Sequence, residues 1–172
     1  GESYTTSVAK DIPEQYELVQ TPANAKGILE NDEIVITYYY QLKSYKYTVN
    51  YLEKGTDKII HEAKQGESLV YGSTVNITNE KIAINGYNYD SVDKDKLIIG
   101  IGENIINIYY TKKETKVTVH YYEEGTTNKV SEDVEIPGKV FDNYETDNES
   151  KADLIVAVGT GEVHMLRLQA EF

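Results

Sequence analysis

Tyr47-Thr-Val-Asn-Tyr-Leu-Glu-Lys-Gly-Thr56 and Val117-Thr-Val-His-Tyr-Tyr-Glu-Glu-Gly-Thr126 decide how this chain is read. Six of the ten positions are identical, at a spacing of 70 residues. A second pair, Ile34-Val-Ile-Thr-Tyr-Tyr-Tyr-Gln-Leu-Lys43 and Asn104-Ile-Ile-Asn-Ile-Tyr-Tyr-Thr-Lys-Lys113, aligns at the same spacing. Two separate segments that agree on one period mark an internal repeat of about 70 residues. The expected organisation is the C-terminal part of a first repeat at 1–43, a complete repeat at 44–114, and a partial or divergent third at 115–172. The boundaries at Gln41-Leu-Lys-Ser44 and Lys112-Lys-Glu-Thr-Lys116 are short and polar, without a flexible tether, so neighbouring repeats are expected end to end.

Within the repeat the signal is two-residue alternation, which marks strands. Tyr45, Tyr47, Val49 and Tyr51 share one face, and Lys46, Thr48 and Asn50 the other. In the third copy Val117, Val119 and Tyr121 point in, and Thr118 and His120 out. Glu53-Lys-Gly-Thr-Asp57 reads as a turn leading into a strand at 58–64, so the two form a hairpin. Further strands are expected at 74–78, 86–92, 97–101 and 104–110, the last with Ile106, Ile108 and Tyr110 on one face, matched by Ile36, Tyr38 and Tyr40. Asp11-Ile-Pro-Glu and Asn79-Glu-Lys-Ile are each expected to start a short turn of helix. No stretch sustains an apolar helical stripe, so the class is mainly β, α+β at most.

Composition removes several function classes. Of 172 residues, 17 are Lys or Arg and 29 Asp or Glu, a net charge of −12. That sign opposes binding to nucleic acid, and to anionic lipid. There is no cysteine, and three histidines far apart in sequence leave little for a metal or catalytic centre. No apolar run is long enough to insert in a membrane. Asp90, Asp93 and Asp95 form an acidic turn without the EF-hand spacing, and Asn31-Asp-Glu33 is read the same way. Gly100-Ile-Gly102 and Gly159-Thr-Gly161 are too short for a dinucleotide fingerprint. A Lys–Asn isopeptide crosslink is not decidable from sequence. Asn76-Ile-Thr78 is an uninformative sequon. No cofactor and no metal are expected.

The chain has 16 tyrosines, two phenylalanines and no tryptophan. Its Lys-, Asn-, Ile- and Tyr-rich usage fits a low-GC bacterium. After Tyr144 there is no tyrosine, and the sole Met165 and Arg167 sit in the tail, which departs from the repeat from about residue 148. That tail is either a diverged repeat or sequence foreign to it.

Thr48-Val-Asn-Tyr-Leu-Glu-Lys-Gly55 and Thr118-Val-His-Tyr-Tyr-Glu-Glu-Gly125 resemble the opening strand and turn of the MucBP (mucin-binding protein) domain. Gly1-Glu-Ser-Tyr-Thr-Thr6 and Lys10-Asp-Ile-Pro-Glu-Gln-Tyr-Glu-Leu-Val19 resemble its middle. Thr21-Pro-Ala-Asn-Ala-Lys-Gly27 and Ile34-Val-Ile-Thr-Tyr-Tyr-Tyr40 resemble its later turn and last strand. The resemblance covers about residues 1–147, and the middle repeat lacks the Asp-Ile-Pro and Thr-Pro segments. It implies tandem small β-grasp (ubiquitin-like) modules in a rod, on an extracellular, cell-wall-anchored protein of a Gram-positive bacterium. It implies a non-catalytic adhesion repeat whose partners are host mucin or surface glycans and the neighbouring repeats of the same chain. A structural stalk presenting another domain is the second reading, and an enzyme fragment, needing a carboxylate pair in a cleft, the third.

Tyrosines on the apolar faces are expected in the core, with hydroxyls reaching a partner at its edge. Tyr39 and the aligned Tyr109 lie on the opposite face, and Tyr122 is outward beside His120. These three are the candidate ligand-binding residues, because an outward aromatic ring can stack on a sugar; the bland alternative is cross-strand pairing on a solvated face.

Overall fold

The computed structural model describes residues 1–146, 153–157 and 163–167. Strand dominates. Residues 1–42 carry β1 (Ser3–Thr5), β2 (Tyr16–Leu18), β3 (Lys26–Ile28) and β4 (Tyr40–Leu42), with β1 antiparallel to β3 and β2 antiparallel to β4. The central stretch carries β5 (Ser44–Tyr45), β6 (Thr48–Glu53), β7 (Ile59–Gln65), β8 (Leu69–Val70), β9 (Thr74–Val75), β10 (Tyr87–Val92), β11 (Leu97–Ile98) and β12 (Ile105–Lys112). A four-stranded sheet runs in the order β10-β12-β6-β7, and small antiparallel pairs join β9 to β11 and β5 to β8. Last come β13 (Glu114–Tyr122), paired with β14 (Lys129–Lys139), then β15 (Asn143–Thr146), β16 (Asp153–Ala157) and β17 (Val163–Arg167) in a three-stranded sheet. Within the departing tail, only β16 and β17 are among the described residues.

Among the described residues the helical element is one 3-10 turn, Ile77–Glu80, capped by Asn76, whose Oδ1 accepts from the Thr78 amide at 3.1 Å. Its first turn holds the acidic Glu80, the favourable sign at a helix start. The helix start expected at Asp11-Ile-Pro-Glu does not form. There the Tyr16 amide donates to the Pro13 carbonyl at 3.0 Å, closing a turn that delivers the chain straight into β2.

The identical Glu, Gly and Thr of the two quoted segments serve the same turn twice. Gly55 and Gly125 stand at φ 87° and 74°, a backbone that residues with a side chain rarely adopt. Thr56 Oγ1 accepts from the Lys58 amide at 3.2 Å, and Thr126 Oγ1 from the Asn128 amide at 3.0 Å. The strand ends are closed by Glu53 N–H to Lys58 C=O and Glu123 N–H to Asn128 C=O.

The segment Ile34–Lys43 departs from its expected likeness to β12. The alternation of half-buried and exposed residues persists from Ile34 to Tyr40, but regular strand begins only at Tyr40. β12 is held on both sides, by β10 and β6. The counterpart of β10 is present as β2, and β4 pairs with it alone in a two-stranded sheet.

By internal contacts the chain divides into two compact units. The first is Gly1–Asn50, Glu62–Lys81 and Val92–Ile108. Its buried residues include Val49, Ile99, Ile106 and Ile108, each at most 1% exposed, and also Ala25, Tyr47, Val75, Ile77 and Leu97. Two polar side chains are buried with them, each satisfied as burial requires. Glu80 accepts from the Tyr47 hydroxyl at 2.7 Å and from Lys64 Nζ at 2.6 Å. Asn104 accepts from the Gly100 amide at 2.8 Å and donates to the carbonyls of Gly100 and Lys46 at 3.0 and 3.3 Å. Gly66 lies against the Tyr47 ring so closely that a β-carbon there would stand 2.3 Å from it.

The second unit is Tyr51–His61, Ile82–Ser91 and Tyr109–Phe172. Its buried residues include Tyr51, Tyr87, Tyr110 and Ile136. Tyr51 packs edge-on to His61, and Tyr89 edge-on to Tyr110. The Tyr110 hydroxyl donates to the Ile82 carbonyl at 2.8 Å and accepts from the Ile82 amide at 3.2 Å. The Tyr87 hydroxyl donates to Glu53 at 2.7 Å. Of the tyrosines read from alternation, Tyr47, Tyr51 and Tyr110 are core, whereas Tyr38, Tyr40, Tyr45 and Tyr121 are half-buried; the Tyr38 hydroxyl meets Thr6 at 2.8 Å, and the Tyr40 hydroxyl has no hydrogen-bond partner among the described residues.

Two predictions concern these buried groups. Glu80→Ala leaves the Tyr47 hydroxyl without its acceptor and should lower stability by about 1–3 kcal/mol in urea unfolding. Burial first, and then the hydrogen bond to Glu53, push the Tyr87 hydroxyl from 10.0 up to about 12. The folded state holds that proton more tightly than the unfolded chain. Its contribution is therefore complete below pH 10 and is lost as pH rises towards about 12. Tyr87→Phe should flatten the alkaline fall of stability in that window, and an unchanged fall would contradict the assignment.

Candidate functional site

The β13–β14 hairpin and the turn after it line a groove. Alternation along β13 turns Val117 inward, and the register sets it opposite Ile136. Ile136 is 2% exposed, and Val117 and Val134 pack against it. This apolar floor is bordered by Lys116 and Pro137, and the chain then turns so that Phe141 and Tyr144 stand at the mouth. The cavity holds about 510 Å³, within the range of small-ligand sites. Phe141 is 59% and Tyr144 64% exposed, large apolar surface to leave facing water. Thr115, Thr118, Asp142 and Asn143 add polar groups to the cavity lining, so both donors and acceptors face the groove.

Phe141 is held at φ 71°, a left-handed conformation that is an outlier for a bulky side chain. The turn recurs in the central stretch, where Gly72 occupies the corresponding place at φ 83° and costs nothing. In the first turn the Tyr71 amide donates to Lys43 C=O and the Ser73 amide to Val70 C=O. In the second, Val140 donates to Lys113 C=O and Asp142 to Lys139 C=O. What holds Phe141 there is packing. Its ring lies 5.7 Å from that of Tyr87, and a β-carbon on Gly86 would stand 2.4 Å from it. Beside it Lys112 and Asp142, both largely buried, pair at 3.5 Å. A second, shallower groove of about 570 Å³ runs past Asn88 and Thr111 to Lys112, Lys113, Glu114 and Lys139, with Lys112 already paired to Asp142.

Of the residues singled out from sequence, Tyr39 lies just ahead of β4 and is 71% exposed. Its carbonyl accepts from the Val19 amide at 2.9 Å, which fixes the backbone and leaves the ring in water. Tyr109 is half-buried, since β12 is an inner strand. Tyr122, at the end of β13, is 42% exposed and stacks on His120 at 5.3 Å with the planes 12° apart. His120 Nδ1 lies 2.9 Å from Asp133 Oδ1, an oxygen with no other partner, so the contact needs the proton on Nδ1. Lys129 reaches the other oxygen at 3.3 Å. His120, and after it Lys129, hold the Asp133 carboxyl below the ordinary carboxylate range. The stacked pair was legible from alternation. Asp133 and Lys129 were not, because a strand register joins them to His120 across the hairpin.

Of the acidic residues noted in sequence, Asp90 and Asp93 serve the sheet. Asp90 pairs with Lys54 at 2.7 Å and accepts from Ser91, and Asp93 accepts from the Asn107 amide at 3.1 Å. Lys94 donates to the Ile105 carbonyl. Among the described residues no group of three or more His, Cys, Asp or Glu is placed to hold a metal ion, and no helix is long and apolar enough to cross a membrane.

Strain and ring contact at Phe141 are separable by two variants. Both Phe141→Ala and Phe141→Gly lose the ring, but only glycine relieves the backbone. The glycine variant should be the more stable of the two by about 1 kcal/mol in thermal or urea unfolding. Asp133 contributes stability that is present above its unfolded pKa of about 3.8 and is lost as pH falls through its lower folded value. Asp133→Asn should therefore reduce the acid dependence of unfolding below pH 4.

Comparison with known proteins agrees with the strand pattern. Residues 1–41 and 116–153 match the MucBP domain. Over 150 residues, 83% of the chain, the sequence is 31% identical to Internalin J of Listeria monocytogenes. The chain spans 17% of that relative's length. Two stretches of this chain thus match the MucBP domain found in cell-surface repeat proteins.

Proposed function

We propose that this chain is a non-catalytic adhesion segment that contacts mucin or other host glycans. The observation that carries the reading is the groove over Val117 and Ile136, with Phe141 and Tyr144 exposed at its mouth. An aromatic face beside a ring of hydrogen-bonding groups suits a sugar, whose C–H face is apolar and whose rim is polar. Tyr39, Tyr109 and Tyr122 are proposed as further contacts, Tyr122 with His120 as a stacked platform.

A second reading, a stalk or spacer that presents another domain of a wall-anchored surface protein, is favoured by the junctions at Lys43 and Lys113. Lys43 donates to Gln15 C=O and accepts from the Tyr71 amide. Lys113, 70 residues on, donates to Gly86 C=O and accepts from the Val140 amide. One residue is thus tied to chain on both sides at each junction, which supports repeat boundaries near 43 and 114. β-grasp modules strung as a rod on the extracellular face of a Gram-positive cell are part of this proposal. Neighbouring repeats of the same chain are its internal partners.

The two readings separate on a glycan array that includes neutral, sialylated and sulfated mucin-type glycans at physiological salt. The adhesive reading expects retained glycans and a loss of binding of about five- to tenfold in Tyr144→Ala, in line with loss of one stacking contact of about 1–1.5 kcal/mol. Absence of signal from the whole chain would leave the stalk reading.

A further inference from the structure

We propose that residues 46–113 act as a load-bearing element, in which the first and last strands of this segment form a clamp loaded in shear. This function concerns tension along the chain. It is independent of what, if anything, the chain adheres to, so its failure and that of the adhesive reading are distinguishable.

The argument begins with direction. β6 opens the segment and β12 closes it, and the two are neighbours in the sheet. The Thr48 amide donates to Asn104 C=O at 2.8 Å, and the Lys54 amide donates to Tyr110 C=O at 2.9 Å. Six residues along one strand match six along the other in the same sense, so the strands are parallel. The chain therefore enters at one end of the pair, beside Asn104, and leaves at the opposite end, beyond Tyr110. Tension between residues 46 and 113 pulls the two strands past each other along their length. In that geometry the cross-strand bonds share the load and must fail together. Peeling the same strands from one end would break them one after another. Forced unfolding is governed by the height of the barrier, which a shared load raises.

Side chains strengthen this pair beyond its backbone. Asn50 Nδ2 donates to Asn107 Oδ1 at 2.9 Å from β6 to β12. Asn107 is held in turn by Asp93, its amide donating to Oδ1 and its Nδ2 to Oδ2 at 3.0 Å. Asn104, 6% exposed, donates to Lys46 C=O just ahead of β6, fastening the point where load arrives. One face of the pair is shielded from water by Val49, Tyr51, Ile106, Ile108 and Tyr110, each at most 2% exposed. Water that cannot reach a strained bond cannot replace it. Exposed bonds without such cover would yield more readily.

The native chain has no cysteine, so paired handles can be placed without competing thiols. The test is single-molecule pulling of the 172-residue chain through two cysteine pairs. Lys46→Cys with Lys113→Cys loads β6 and β12 in shear. Lys58→Cys with Lys113→Cys attaches at the turn after β6, at the same end as the exit of β12, and peels them. At one loading rate the shear pair should rupture at a force at least about twofold higher than the peeling pair. Adding Asn50→Ala should lower the shear force and leave the peeling force nearly unchanged. The bulk melting temperatures of the two cysteine variants should agree, which separates geometry from stability. Equal rupture forces in the two directions would overturn the proposal.

Discussion

The parallel pairing of β6 with β12 is the constraint on which the central stretch depends. Fifty-six residues separate Thr48 from Asn104, and the entropy of closing that loop must be met before the pair forms. Two features meet it. Alternating apolar residues on both strands bury on one face, and Asn104 closes the point of contact with a bond to Lys46 C=O while its other bonds hold the turn at Gly100 and Gly102. Once β12 is held against β6, β10 adds on its other side and β7 on the far side of β6. A buried amide left unpaired would cost more than the bonds return, so Asn104 also disfavours other alignments of these strands.

The tyrosine excess follows from the same economy of space. In a small β unit a tyrosine buries a large ring while its hydroxyl reaches a polar group at the edge of the core. Tyr47 meets Glu80, Tyr87 meets Glu53, and Tyr110 meets the backbone of Ile82. Two of these acceptors are carboxylates. The acidic charge that faces away from nucleic acid thus also supplies partners within the fold. Burial is the first cause that raises both the Tyr47 and the Tyr87 hydroxyls, with the carboxylate bond second. Lys64, held by Glu80, is raised by that bond first.

Phe141 shows where local preference yields to packing. The same turn is made easily by Gly72, yet at Phe141 a bulky residue is held in the left-handed region by Tyr87, Gly86 and the adjacent Lys112–Asp142 pair. The strain coincides with the mouth of the groove, as expected where backbone conformation is set by surroundings and not by the residue itself. Sequence reading had no means to find this site. Phe141 carries no repeat signature, and its partners Gly86 and Tyr87 are more than fifty residues away.

The sequence by itself determined the period of 70, the mainly β class, the inward faces of the strands and the Gly-Thr turns, because each is local. Alternation, a positive φ or a hydroxyl two residues from an amide can be read within ten residues. It also marked Tyr122 beside His120, since residues two apart on a strand share a face. Tertiary structure alone decided what depends on register and long-range closure. That includes the parallel sense of β6 and β12, the burial of Glu80 and Asn104, the half-burial of Tyr109 against the exposure of Tyr39, and the groove under Phe141 and Tyr144. Aligned residues such as Tyr39 and Tyr109 differ for a physical reason. One stands ahead of a strand paired on a single side and the other in a strand paired on both, and the number of neighbouring strands is not written in either residue's local sequence.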